Sequence, residues 1–232
     1  MKQFILIVLT MMLTAEPTLA QTLEQKSLPV HFTLEEVGFD YKEYNKKFGN
    51  NKKLLPGYEN QCLLALSFYP KLTDIKIEFI FEPSSYTLSA RPTPSSVFKK
   101  GKERTYQIVV SNKIKKELEP VLFNNLPLEE QVGVIGHELS HVADYIEKNT
   151  FQILEIAIMY KVHAFKSKIE HETDHRAVEH GFGLPLHSYC DRVGKLHKKY
   201  PDEKYYKDYT TIYMSCELLE NTMASCGNYK PY

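Results

Sequence analysis

Hydrophobic and polar residues alternate in two stretches of this chain and recur at helical spacing in others. In "IKIEFIF", Ile75, Ile77, Phe79 and Phe81 fall on one side and Lys76 and Glu78 on the other, the period-two pattern of a half-buried strand. "RTYQIVVSN" repeats the pattern with Tyr106, Ile108 and Val110. Between them, residues 82–102 are rich in Pro, Ser and Lys and read as a long loop or a loose hairpin. "ENQCLLALSFYPKL" reads as a short buried helix that Pro70 helps to end. After Pro127 the pattern is mostly helical. Leu128, Val132, Ile135, Leu139, Val142 and Ile146 follow alternating steps of four and three, which make one continuous stripe. Pro127 suits the first helical position, Glu129 and Glu130 sit in the positive first turn, and Asn149 and Thr150 break the pattern. "GFGLPLHSYC" reads as a later helix stop, with Gly181 and Gly183 at left-handed or close-approach positions and Pro185 preventing continuation. Few strands followed by helices argue an α+β fold.

Charge narrows the partners. Lys+Arg 29 balances Asp+Glu 29, and neither sign gathers into a block. Nucleic acid and an anionic membrane are therefore not expected partners. Residues 1–20 carry Lys2, an apolar run from Phe4 to Leu13 and the small-residue ending Thr18-Leu19-Ala20, the layout of a secretory signal peptide. The run is shorter than the ~20 residues that span a bilayer. The expectation is one exported domain over residues 21–232, secreted or periplasmic, with no stable membrane insertion once the signal is removed. Cys62, Cys190, Cys216 and Cys226 all lie in that part, none at Cys-x-x-Cys spacing. Their pairing is open, and at least one structural disulfide is expected.

The segment "VGVIGHELSHVADY", residues 132–145, brings in chemistry. At ~100° per residue, His137 and His141 lie ~40° apart and point nearly opposite the apolar stripe. Two histidines at i and i+4 can each place a ring nitrogen on one metal ion, while Glu138 points to the adjacent side, within reach of a metal-bound water. This is His-Glu-x-x-His, the zinc-hydrolase signature. It predicts Zn²⁺ as cofactor, His137 and His141 as ligands and Glu138 as the catalytic base, against the competing reading of a solvated polar face.

A catalytic zinc takes a third protein ligand and keeps one position open. Downstream, "SKIEHETDHRAVEHGFG" is dense in candidates. With Ser167 as a helix cap, Glu170 and Asp174 stand one turn apart on one face, beside Ala177 and Val178. Glu172, His171, His175 and His180 are alternatives. Glu170-His171-Glu172-Thr173-Asp174 resembles the Glu-x-x-Ala/Thr-Asp motif of gluzincin metallopeptidases, particularly the family of the prenyl-protein (CAAX) processing proteases and their soluble relatives. The resemblance covers about residues 128–183 and includes none of that family's membrane helices. It implies a zincin-like core, a small sheet with an active-site helix and a second, ligand-bearing helix. It also implies Glu170 as the third zinc ligand and Asp174 as acceptor for the N–H of His137 or His141. The Glu-to-Asp spacing, and the absence of a His-x-x-Gly-x-x-His extension after His141, favour Glu170 over Glu172 and over a three-histidine site.

These roles imply an exported peptidase that cleaves a peptide or protein substrate. Glu138 would take a proton from a zinc-activated water and deliver it to the leaving amine. His180, His187, Tyr189, Arg176 and Arg192 are the candidate donors to the developing oxyanion. In gluzincins an extended peptide commonly pairs with the edge strand before the active-site helix. "TYQIVVSN" holds that place in order, and an ordinary core strand reads equally well there. The Pro- and Ser-rich stretch is a lid or plain connection. The tyrosine-rich end either lines a peptide cleft or packs a terminal helix, tethered by Cys216 or Cys226. The alternative function is a catalytically silent zinc-bearing envelope protein that binds a peptide or protein partner. An intact Glu138 favours the peptidase, because a structural site needs no general base.

Overall fold

Four strands form one mixed sheet in a computed structural model of the chain, which describes residues 27–84, 86–113, 115–227 and 229. The signal peptide expected over residues 1–20 lies outside the described residues. The sheet order is β1 (Lys52–Lys53), β2 (Lys76–Phe81), β4 (Thr105–Val110) and β3 (Leu88–Pro92). The first three run parallel, and β3 runs antiparallel to β4, with Leu88 opposite Val110 and Pro92 opposite Tyr106. The alternation read from sequence sets the buried face: Ile77, Phe79, Tyr106, Ile108 and Val110 are all fully buried. Each contributes about 1.5–3 kcal/mol by leaving water. Phe81, at the end of β2, departs from the expected stripe and is 37% exposed.

β3 lies inside the stretch expected to be loop or loose hairpin, and it is the outer strand of a β3–β4 hairpin. Pro92 is tolerated because it pairs at a position whose backbone groups face away from β4, so no ladder donor is lost. Arg104, fully buried just before β4, fastens the hairpin to the next layer. Its Nη1 donates to the carbonyls of Tyr145 at 3.2 Å and Lys148 at 2.9 Å. A guanidinium there satisfies carbonyls at a helix C-terminus and complements the dipole.

Helices α1 (Tyr41–Phe48) and α2 (Glu59–Ser67) interleave with the first strands, and α3 (Leu128–Tyr145) to α8 (Cys216–Ser225) follow the sheet. The α+β expectation therefore holds. α3 is buried on every side: its apolar stripe is matched by α2 and the sheet, and its polar side is covered by α5 (His163–Glu179) and α6 (Gly183–Lys199). Gly136 permits this close cover, since a Cβ there would lie 2.6 Å from the Phe182 ring. Pro127 caps α3 rather than starting it, and Asn149 opens α4 (Thr150–Met159) through a capping box with Gln152. Ser167 lies inside α5, whose N-cap is Val162. The expected stop after the ligand segment is present, with Gly181 at φ +95°. Pro185 falls in the first turn of α6, where N–H groups have no helical partner. A disulfide joins Cys190 on α6 to Cys216 on α8, while Cys62 and Cys226 are free thiols. Such a bond persists in oxidising compartments. Among the described residues, no helix is long and apolar enough to cross a membrane.

Candidate metal centre

α3 and α5 face each other through polar side chains that are almost completely buried. His137, His141 and Glu170 are 7%, 5% and 1% exposed. One donor atom from each lies within 4.8 Å of the others, so the three can hold a metal ion. Glu170 Oε2 is 3.0 Å from His137 Nε2 and 3.4 Å from His141 Nε2.

The ring orientations follow from what holds the far nitrogens. His137 Nδ1 donates to Asp174 Oδ1 at 2.8 Å, and Asp174 Oδ2 accepts the Met214 N–H at 3.0 Å. The Thr173 hydroxyl donates to Ile169 O at 2.8 Å and can accept from His141 Nδ1 at 3.2 Å. Both rings then carry their proton on Nδ1 and present an Nε2 lone pair to the Glu170 carboxylate. Three lone-pair donors so close together repel unless a proton or a cation lies between them. A borderline-soft divalent cation suits two imidazoles and a carboxylate. Without a cation, a proton shared between His137 and Glu170 takes that place. Burial pushes His137 down, but hydrogen bonds and charge from Asp174 and Glu170 raise it well above its ordinary value. Burial pushes Glu170 up, yet the histidines, His141 foremost, hold it at about 2. The Tyr160 hydroxyl donates to Glu170 Oε1 and fixes its remaining oxygen.

Glu138 differs from its neighbours. Burial raises its carboxyl above the ordinary range, against the opposing pull of His141 and His137. Its Oε2 is buried and has no hydrogen-bond partner among the described residues. It opens on a cleft of about 640 Å³ whose walls include β3, α4, Tyr160 and Tyr213. Thr87 O accepts from Ser111 N, and Thr93 N donates to Thr105 O. The antiparallel alternation therefore turns the backbone groups of Leu88, Ala90 and Pro92 to the free edge above this cleft.

His137, Glu138, His141, Glu170 and Asp174 are thus brought together as their spacing suggests. The alternatives that the sequence left open lie elsewhere. β4 lies between β2 and β3, so the edge strand beside the cleft is β3. Glu172 is exposed and faces Lys168, and His175 faces Glu179. His180 bonds Phe68 O at 2.7 Å and stacks on Tyr69. Arg176 reaches Ser140 O and Asp144, Arg192 binds Glu130, His187 binds Glu220 and Tyr189 contacts Tyr205. None of these five proposed oxyanion donors lines the cleft. Tyr213 does, with its ring centroid 5.8 Å from that of His137. The tyrosine-rich end therefore both packs helices and contributes to the cleft wall. Thr173 was legible in principle, as it shares the inner face of α5 with Glu170, whereas Tyr160 and Tyr213 come from segments without a periodic signal. No family model, curated protein or solved structure matches this chain.

Proposed function

We propose that the protein is a zinc-dependent metallopeptidase that acts on peptide or protein substrates outside the cytoplasm. The observation that carries this reading is the pairing of a three-donor cluster with Glu138, a buried carboxylate whose Oε2 has no partner and which opens on a cleft. His137, His141 and Glu170 would hold the ion. Zinc, when bound, supplies Lewis acidity for a water and for the substrate carbonyl. Asp174 and Thr173 keep the two imidazoles in the tautomer that a ligand needs. Glu138 accepts the proton of the attacking water and returns it to the leaving amine, a role matched by its raised pKa. Tyr213, whose hydroxyl is held protonated by burial and the nearby Glu170 charge, is the candidate donor to the developing oxyanion. The free edge of β3 offers Leu88 as a backbone partner for an extended peptide, while the Ala90 backbone lies at the Glu138 carboxylate.

The competing reading is a zinc-bearing envelope protein that binds a peptide without cleaving it. It gives no reason to leave a buried carboxylate unpaired beside the metal ligands. Elemental analysis of protein purified without added metal, followed by digestion of a peptide library, tests the proposal. About one zinc per chain and cleavage that chelation abolishes are expected. Zinc bound without any cleavage would select the binding protein, and no zinc even after reconstitution would overturn both.

A further inference from the structure

Lys166 is 9% exposed, yet among the described residues its ammonium has no carboxylate at ion-pair distance. Its Nζ lies 4.6 Å from the ring centroid of Tyr86 and 5.1 Å from that of Tyr160. Of the other lysines that line the same cavity, Lys115 faces Glu203 at 3.5 Å and Lys204 is paired with Asp208, while Lys113 belongs to the loop after β4 and stacks on neither ring. Two aromatic faces offset part of the cost of desolvating the ammonium, but they offer it no hydrogen-bond acceptor, so its donors face the cavity. Burial lowers the Lys166 pKa, and Asp208 opposes that shift only from a distance.

The position of this cation relative to the metal centre gives it meaning. Lys166 lines a second cavity of about 870 Å³ that shares Ser84, Tyr86 and Tyr213 with the catalytic cleft. Tyr160, the second ring on Lys166, also lines that cleft and binds Glu170. Along α5, Lys166 precedes Glu170 by one turn, about 6 Å of helix axis. A peptide added to the free edge of β3 in the antiparallel sense, the more stable pairing, runs opposite to β3. Its C-terminal side then passes Leu88 and arrives at Tyr86 and Lys166.

We infer that Lys166 is a specificity determinant that receives a substrate carboxylate on the C-terminal side of the scissile bond. The carboxylate belongs to an acidic side chain or to the free C-terminus of a short peptide. This inference rests on the peptidase reading for its register, though binding of the carboxylate does not depend on turnover.

Three peptide sets of otherwise identical sequence separate the sources: one amidated and neutral, one with a free C-terminal carboxylate two, three or four residues after the cleaved bond, and one amidated with Glu at those positions. Their kcat/KM on the zinc-loaded protein and their calorimetric affinity for the Glu138→Gln variant are compared. At least one carboxylate peptide should exceed the neutral one by about ten- to a hundredfold, the range of a charge-assisted hydrogen bond. In Lys166→Met the ratio should fall to near one, and in Lys166→Glu below one, with thermal unfolding confirming that both variants are folded. An inversion is what a purely structural lysine would not produce. Equal treatment of all three peptide sets by the unmodified protein, or a ratio unchanged in Lys166→Met, would overturn the inference while leaving the peptidase standing. Carboxylate-dependent binding without any cleavage would keep the site and remove the peptidase.

Discussion

Glu130 and Glu138 lie on the same helix, about 12 Å apart along its axis, and both are buried, yet their surroundings are opposite. Glu130 is closed on every side: Arg192 Nε donates to it at 2.6 Å, Arg192 Nη2 at 3.1 Å and the Ser188 hydroxyl at 2.9 Å. Glu138 sits between two imidazoles with Oε2 unpartnered and its pKa raised. A fold that can satisfy one buried carboxylate so fully has the means to satisfy another. An unsatisfied buried polar atom costs stability, so the unpartnered Oε2 beside a donor cluster is what the proposed role of Glu138 as a base accounts for. A paired carboxylate such as Glu130 is part of the scaffold.

Exchanging each acid for its amide tests that contrast most severely. Glu138→Gln should lower turnover by about 10²- to 10⁴-fold, the usual worth of a general base, while metal content stays near one per chain. Its folding stability should stay level or rise, because an unpaired charge is removed. Glu130→Gln should do the reverse, leaving turnover close to normal and lowering stability by about 1–2 kcal/mol. That figure is below the cost of breaking a fully buried pair because the Arg192 side chain is 33% exposed. Turnover assays, metal analysis and urea denaturation of both variants read these outcomes. Comparable loss of stability in both would erase the distinction.

Asp174 sharpens the same contrast from the side of the ligands. It holds His137 Nδ1 and is itself held by the Met214 N–H, so Asp174→Ala frees the ring to turn. Zinc affinity should fall by about ten- to a hundredfold in a competitive chelator titration. Retention of full affinity would mean that ring orientation is fixed by packing alone.

The pH dependence of stability should have opposite signs with and without metal. Burial lowers His137, but Asp174 and Glu170 outweigh it and raise the imidazole well above its ordinary value. In the metal-free protein this contributes stability that is fully present below about pH 6.5, the unfolded value, and is lost as pH rises through the folded value. A bound metal needs neutral imidazoles, so its stabilisation grows as pH rises over the same region. Melting temperatures from pH 5 to 9, with chelator and with zinc, measure both slopes. Parallel slopes would show that His137 does not change partners on metal binding.

The candidate site was more legible than the sheet edge that accompanies it, for a physical reason. His137 and His141 share one face of α3, and Glu170 and Asp174 share one face of α5, so helical period shows which residues of each helix go together, while the resemblance to the metallopeptidase motif chose Glu170 and Asp174 among their neighbours. The apolar stripe of α3 and the alternation of β2 and β4 report burial in the same local way. β3 gives no such report. It spans only Leu88–Pro92 at the edge of the sheet, and its neighbours Ser84, Pro83, Pro94 and Ser95 punctuate the chain like a loop. The burial of Arg104 against the end of α3, the Tyr160 hydroxyl on Glu170 and Tyr213 in the cleft wall join distant segments. No periodicity within one segment encodes those contacts.

The smallest expected effect belongs to Glu172, a third carboxylate that completes the comparison. It lies two residues from Glu170, and ~200° of helical rotation sends the two side chains to opposite sides of α5. The structure agrees: Glu170 is 1% exposed beside His137 and His141, whereas the Glu172 side chain is 53% exposed with Lys168 Nζ 3.9 Å away. An exposed i,i+4 pair of this kind contributes only a few tenths of a kcal/mol. Glu172→Ala should therefore leave zinc affinity unchanged and shift stability by no more than about 0.5 kcal/mol. Zinc titration of this variant beside Asp174→Ala decides the register of the whole ligand helix. Metal loss in Glu172→Ala with retention in Asp174→Ala would mean that α5 presents its other face to α3, and Glu170 would then lose its place as a ligand together with Asp174.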